Sequence, residues 1–266
     1  TACSSVANTM SGRSAANDPG IAALLEADAD TITYVAKAWD YQVHVALGCT
    51  LDENVEGIDD SIRLAVARGR EVILDCEHFF DGYKANRAYA LQCAQTAYEA
   101  GARWIVLCDT NGGTMPDEIE TIVRDVCAVI PGDHIGIHTH NDTENAVANT
   151  FAALRAGARH LQGTLNGLGE RCGNANLVSI IPTLLLKPAF AEQFEIGVTR
   201  EKLAGLTKLS HAFDELMNRQ PNRHAPYVGA SAFATKAGIH ASAVVKDPHT
   251  YEHIEPQLVG NTRRVL

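Results

Sequence analysis

Three runs decide the fold: EVILDCEHF at residues 71–79, WIVLCDT at 104–110 and HIGIHTH at 134–140. Each starts as a near-continuous apolar stretch, the pattern of a strand covered on both faces. Each then turns polar at its C-terminal end, in Asp75 and Glu77, in Asp109 and Thr110, and in His138 and His140. Side chains alternate faces along a strand, so Asp75 and Glu77 form one same-face pair and His138 and His140 another. Working outward, TITYVAK (31–37) precedes these runs, and HLQGTLNG (160–167), with Asn166, follows them. The starts at 31, 71, 104, 134 and 160 are 40, 33, 30 and 26 residues apart. Helical patterns occupy residues 51–68, 86–100, 116–130 and 144–156, and another covers 174–186. Gly69, Gly101 and Gly157, in the turns ARGRE, AGARW and AGARH, fit the left-handed position that closes a helix. Pro116, followed by acidic residues, fits a first helical turn.

Strand–helix alternation at about 30 residues per unit implies βαβ crossovers and a parallel α/β sheet. A doubly wound sheet and a β/α barrel both satisfy it. Polar groups gathered at the carboxyl ends of several strands describe the active face of a TIM (β/α)8 barrel, and no G-x-G-x-x-G follows any strand. With TACSSV (1–6) the strands number six. Nothing after residue 186 repeats the alternation, so the expectation is a barrel lacking its first two β/α units. Residues 1–190 are expected to hold strands 3–8 and residues 191–266 a small, mostly helical subdomain, including an amphipathic helix over 199–217.

The chain has 266 residues, 46% hydrophobic and 20% charged, with 22 Lys+Arg against 32 Asp+Glu and a net charge of −10. That balance is globular, and it argues against a nucleic-acid partner because no basic run is present. No apolar stretch approaches the ~20 residues of a membrane span. The seven cysteines are scattered without a CxxC, and three (Cys3, Cys76 and Cys108) lie in strand-like runs. They are expected to be reduced, buried thiols of a cytoplasmic protein.

His138-Thr139-His140 places two imidazoles on one face, able to hold a divalent ion or simply to line a barrel mouth. NGLGERCGNANL (166–177) adds glycines, carboxamides and the Glu170-Arg171 pair one strand later. Asp75 and Glu77 are surface charge or an inward pair; if inward, one of them must be protonated, paired or hydrogen-bonded. The Asp109–Thr110–Asn111 turn is a helix entry or a carboxylate-binding hydroxyl. His240 and Tyr251 follow in the later segment.

GIHTHND…AVANTFAALRAGARHLQGTLNGLGERCGNANL resembles the signature of the metal-dependent acyl-CoA synthases that include 2-isopropylmalate, homocitrate and citramalate synthases and share a barrel with HMG-CoA lyases. DCEHFFDGYKAN (75–86) and LCDTNGGTMPDEI (107–119) look most like the citramalate synthase branch, and NRHAPYVGASAFATKAGIHASAVVKDPHTYEHIEPQLVGN resembles the subdomain after the barrel. The resemblance covers essentially the whole chain. It implies that His138, His140 and Asn174 hold a divalent metal ion (Mg, Mn, Co or Zn). It further implies that Thr110, Glu77 and Asp75 line the keto-acid pocket and that Glu170, His240 and Tyr251 are catalytic. His240 and Tyr251 would reach into a partner's site in a homodimer. Two positions depart from the family pattern: Thr235 stands where AFAHKxGIH has histidine, and Glu144 where HND-x-G has glycine. The family's Asp-Arg-Asp/Glu strand, which supplies a metal-ligating Asp, is absent from these residues.

The implied reaction condenses acetyl-CoA with pyruvate to citramalate, on the route to isoleucine. A synthase using another 2-oxo acid is the nearest rival. A metal-dependent acyl-CoA lyase is the second, because Cys172 lies near the position of that branch's catalytic cysteine. Residues 1–266 alone, without the first two units, are expected to be inactive.

Overall fold

The structure is a computed structural model and describes residues 1–7 and 14–265. Six parallel strands run in sequence order, each hydrogen-bonded to the next: β1 (Ala2–Ser5), β2 (Thr31–Lys37), β3 (Glu71–Glu77), β4 (Trp104–Asp109), β5 (Ile135–Thr139) and β6 (His160–Gln162). Between them lie α1 (Pro19–Glu26), the single turn α2 (Asp40–Gln42), α3 (Leu51–Ala67), α4 (Phe79–Ala85), α5 (Arg87–Glu99), α6 (Pro116–Cys127) and α7 (Ala146–Ala156). All six expected strands are present, within two residues except β6, which ends at Gln162.

Local chemistry sets the helix ends. Asp18 accepts from the N–H groups of Gly20 and Ile21 to open α1, and Thr50 with Glu53 forms a reciprocal capping box at α3. Pro116 takes the first position of α6 while Glu118 accepts from the Met115 N–H. Gly69, Gly101 and Gly157 have φ of 74°, 101° and 129°, as the helix-closing turns required. Glu144, at the family's glycine position, is also left-handed, with φ 61°.

The strands bury two faces differently. Outward side chains such as Ile32, Leu74, Leu107 and Ile137 join the large apolar core with the helices. Inward, Ile73, Val106 and Cys108 form a separate cluster with Trp104 against it. A register layer runs Val35, Asp75, Val106, Gly136 and His160 across β2–β6. The next layer pairs Lys37 with Glu77, and Cys108 with His138 and then Gln162. Gln162 Nε2 donates to Asp75 Oδ1 at 2.8 Å, from β6 to β3. In a flat sheet those strands would lie about 14 Å apart, beyond the reach of these two side chains, so the sheet curves with this face concave. Six in-order parallel strands that curve this way are the TIM-barrel pattern. Asp109, in contrast, faces outward, where the Thr114 hydroxyl donates to it at 2.8 Å; it supports the turn rather than the mouth.

Cys76 and Cys108 are buried, as expected, but Cys3 is exposed. Its neighbour in register is Thr33 on the inward face, and β1 pairs only with β2 among the described residues.

The chain divides into two compact units, Thr1–Gly163 with Gly169–Ala175, and Thr164–Leu168 with Asn176–Leu266. The second holds α8 (Leu177–Leu186), α9 (Pro188–Ala191), α10 (Arg200–Leu203), α11 (Leu206–Leu216), α12 (Gly238–Lys246) and the short parallel pair β7 (Ala234–Thr235) and β8 (Arg264–Val265). Val178, Leu203, Leu206, Phe233 and Val259 centre its core. The helix expected over 199–217 is two helices. The Gly205 N–H bonds Lys202 O, three residues back, and this tight turn interrupts the four-residue ladder.

Curvature crowds the concave face at β5. A Cβ on Gly136 would lie 2.9 Å from both His160 Cδ2 and Val106 Cγ2. Gly136→Ala is therefore expected to destabilise the fold by about 1–3 kcal/mol in urea denaturation. Glu144→Gly should stabilise it by up to about 1 kcal/mol, because relief of the left-handed strain exceeds the entropy added to the unfolded chain.

Candidate active site

β5 delivers His138 and His140 to the concave mouth with rings 5.1 Å apart and nearly perpendicular, at 82°. Each Nδ1 faces an oxygen acceptor: His138 Nδ1 lies 2.7 Å from Gln162 Oε1, and His140 Nδ1 lies 2.6 Å from the Thr110 carbonyl. Both imidazoles therefore carry the proton on Nδ1 and leave Nε2 as a lone-pair donor, the arrangement of metal-ligating histidines. Asn174 Nδ2 donates to His138 Nε2 at 3.2 Å, so the NH2 end of the amide faces that nitrogen and its oxygen lies toward Gly169. The sequence pattern placed Asn174 at the start of a helix. Instead its backbone bridges His140, and α8 begins only at Leu177, capped by Asn176. Gly169 makes this possible, since a Cβ there would fall 2.1 Å from Asn174 Oδ1.

Asp75 and Glu77 do both point inward, and each has a partner. Lys37 Nζ binds Glu77 Oε2 at 2.5 Å. Burial pushes the Asp75 carboxyl up to about 6, opposed by the Gln162 hydrogen bond and reinforced by the nearby Glu77 charge. Thr110 Oγ1 accepts the His78 N–H at 2.7 Å, which leaves its own proton to donate. His78 holds a left-handed φ of 60°, and its buried Nδ1 has no partner among the described residues. A cavity of about 280 Å³ opens beside Glu77, lined also by Ser5, Val35, Lys37, Cys49 and Asn54.

Arg171 ties the loops together. It donates to both Asp142 oxygens, at 2.8 and 2.9 Å, and to Thr110 O at 2.8 Å. The guanidinium holds the Asp142 carboxyl below its usual range. Glu170 next to it is 87% exposed and points to solvent. His240 and Tyr251 are in the second unit, their rings 4.5 Å apart and both exposed. The sequence reading therefore finds His138, His140, Asn174, Asp75, Glu77 and Thr110 at one mouth. It missed Lys37 and Gln162, although each ends a strand with a polar residue as the other strands do. Asp142 follows the histidine pair closely in sequence, but only the loop geometry pairs it with Arg171.

Two imidazoles and a carboxamide are a fitting partial set for a divalent ion of borderline softness. Among the described residues no group of three or more His, Cys, Asp or Glu side chains could hold a metal, so this set contains no carboxylate.

The folded state holds the Asp75 proton more tightly than an unfolded chain, whose ordinary value is 3.8. The stability this group contributes is present below about pH 4 and is lost as pH rises through about 6. Asp75→Asn should flatten that part of the pH–stability profile, by at most about 3 kcal/mol between pH 4 and 7, in urea titrations of the two proteins.

Residues 3–207 match the HMGL-like family, and residues 227–266 match the homocitrate synthase post-HMGL domain-like family. The chain is 51% identical over 255 residues to an (R)-citramalate synthase of Streptomyces coelicolor, covering 96% of this chain and 47% of that protein. A 2-isopropylmalate synthase of Sulfurisphaera tokodaii is 32% identical over 254 residues, covering 96% of this chain and 63% of that protein. The chain thus spans about half the length of the citramalate synthases it matches. In fold it is similar to the Bacillus subtilis HMG-CoA lyase, with a TM-score of 0.68 at 19% identity over 85% of this chain and 72% of that one. With its curved parallel sheet and a family match spanning most of its length, the chain belongs to the HMGL-like family.

Proposed function

We propose that the chain forms the catalytic part of an acyltransferase that condenses acetyl-CoA with pyruvate to citramalate, on the route to isoleucine in the cytoplasm. The observation that carries this reading is the contrast in identity, 51% to a citramalate synthase against 32% to a 2-isopropylmalate synthase over nearly the same residues. Among the described residues no helix is long and apolar enough to cross a membrane.

His138, His140 and Asn174 would hold a divalent ion, Mg, Mn, Co or Zn. When bound, that ion supplies Lewis-acid stabilisation of the negative charge developing on the keto oxygen. Thr110, with its hydroxyl proton unspent, donates to the keto-acid carboxylate. The Lys37–Glu77 pair, with Asp75 beneath it, forms the polar wall of the pocket. A general base removes a methyl proton from acetyl-CoA, and the resulting enolate forms the new carbon–carbon bond at the keto carbon. Water then cleaves the citramalyl thioester, releasing CoA. Glu170, or His240 with Tyr251 from a second subunit of a homodimer, supplies that base; the exposure of all three side chains suits groups that meet another molecule.

Cys172 favours a second reading, acyl-CoA cleavage, because it is exposed on the loop that carries Asn174. The protein in which this chain occurs should release CoA from acetyl-CoA fastest with pyruvate, compared at equal concentration with 2-oxoisovalerate and 2-oxoglutarate. Preference for 2-oxoisovalerate would overturn the citramalate reading, and cleavage of HMG-CoA without condensation would replace it with the lyase.

A further inference from the structure

We propose that Asp75 and Gln162 are positioning residues that lock His138 in its Nδ1-protonated tautomer and so present its Nε2 lone pair at the concave mouth, beside Asn174. The role rests on the reading that His138 is a metal ligand, but the lock itself exists without any ion.

Each step follows from donor and acceptor chemistry. An ionised carboxylate only accepts, so Asp75 selects the NH2 end of Gln162, which it meets at 2.8 Å. The amide then has only its oxygen left to face His138, at 2.7 Å. An oxygen at that distance requires N–H on Nδ1, and a neutral imidazole protonated there keeps a lone pair on Nε2, which accepts from Asn174 Nδ2 at 3.2 Å. Charge at the far end polarises the amide and strengthens the hydrogen bond its oxygen accepts from Nδ1. The geometry is specific to the curved sheet: Gln162 lies in register beside His138 on the adjacent strand, whereas Asp75 approaches from three strands away. Burial works against the Asp75 charge, so an ionisable group here is a poor choice for filling space and a suitable one for orienting an amide. His140 has the same polarity from the Thr110 backbone carbonyl. Side-chain substitution at 75 or 162 does not alter that carbonyl, and His140 is a built-in control.

The test uses Asp75→Asn alone and combined with Gln162→Glu, both in the metal-free protein. An amide at 75 both donates and accepts, so it no longer dictates which end of Gln162 faces His138. In the double variant the new carboxylate at 162 accepts from the amide at 75 and from His138 Nδ1, and the lock returns with its charge moved by one position. Imidazole 15N NMR at pH 7.5 should show His138 only as the Nδ1–H tautomer in the parent, as a mixture in D75N, and as Nδ1–H again in the double variant. Mn2+ titration should show about 10- to 100-fold weaker binding in D75N and recovery of most of that loss in the double variant. Two outcomes overturn the proposal: D75N keeping a pure Nδ1–H tautomer, or the double variant failing to restore it while His140 is unchanged. Loss of the His140 tautomer together with that of His138 also overturns it, since the pair would then act only by holding the fold. No substrate enters the NMR measurement, so a failed pyruvate assay and a failed lock are separate results.

Discussion

Asp75 on β3 meets Gln162 on β6 across two intervening strands, and that contact exists only because the parallel sheet is curved. A flat sheet of the same strands would keep their side chains well out of reach. Curvature converts a row of strand ends into a concave mouth, and being parallel, all the strands deliver their carboxyl ends to the same rim. The crowding this creates appears at Gly136, which lies against His160 and Val106 with no room for a Cβ.

The mouth is polar in a largely apolar surrounding, and most of its charges are answered locally. Glu77 has Lys37, Asp142 has the fork of Arg171, and Asp75 has an amide. Buried polar groups left without partners are expensive, so what stays open is informative. Both ring Nδ1 atoms of the histidine pair are hydrogen-bonded to oxygen, which leaves each Nε2 with its lone pair; that of His138 accepts from the Asn174 amide. Asn174, drawn out of a helical pattern and into a bridge with His140, stands at the same place. Fold and chemistry rest on different comparisons. The likeness to HMG-CoA lyase at 19% identity speaks to architecture alone, whereas the keto acid we propose rests on the higher identity to citramalate synthases than to 2-isopropylmalate synthases.

Much of this was legible in the residues themselves. Apolar runs with polar ends marked the strands, glycines marked the helix closures, and alternation put His138 with His140 and Asp75 with Glu77. Glu144 stands where the family's HND-x-G has glycine, and the structure shows it left-handed there despite its Cβ. Other features were hidden for identifiable reasons. The Gly205 turn divides a helix whose amphipathic period continues through it, so the pattern showed no boundary. Cys3 has a strand residue's apolar context, yet its exposure depends on which strands flank β1.

The amino-acid order by itself determined the strand–helix rhythm, the face on which each strand side chain points and the residue types gathered at the rim, because all of these follow from local periodicity and backbone preference. Only the tertiary structure decided which of those residues meet. Lys37 with Glu77, Arg171 with Asp142, and Asp75 with Gln162 and His138 are separated by 40, 29, 87 and 24 positions between successive partners. Such pairings depend on how far a twisted parallel sheet bends, a property of the assembled strands that no single stretch of sequence carries.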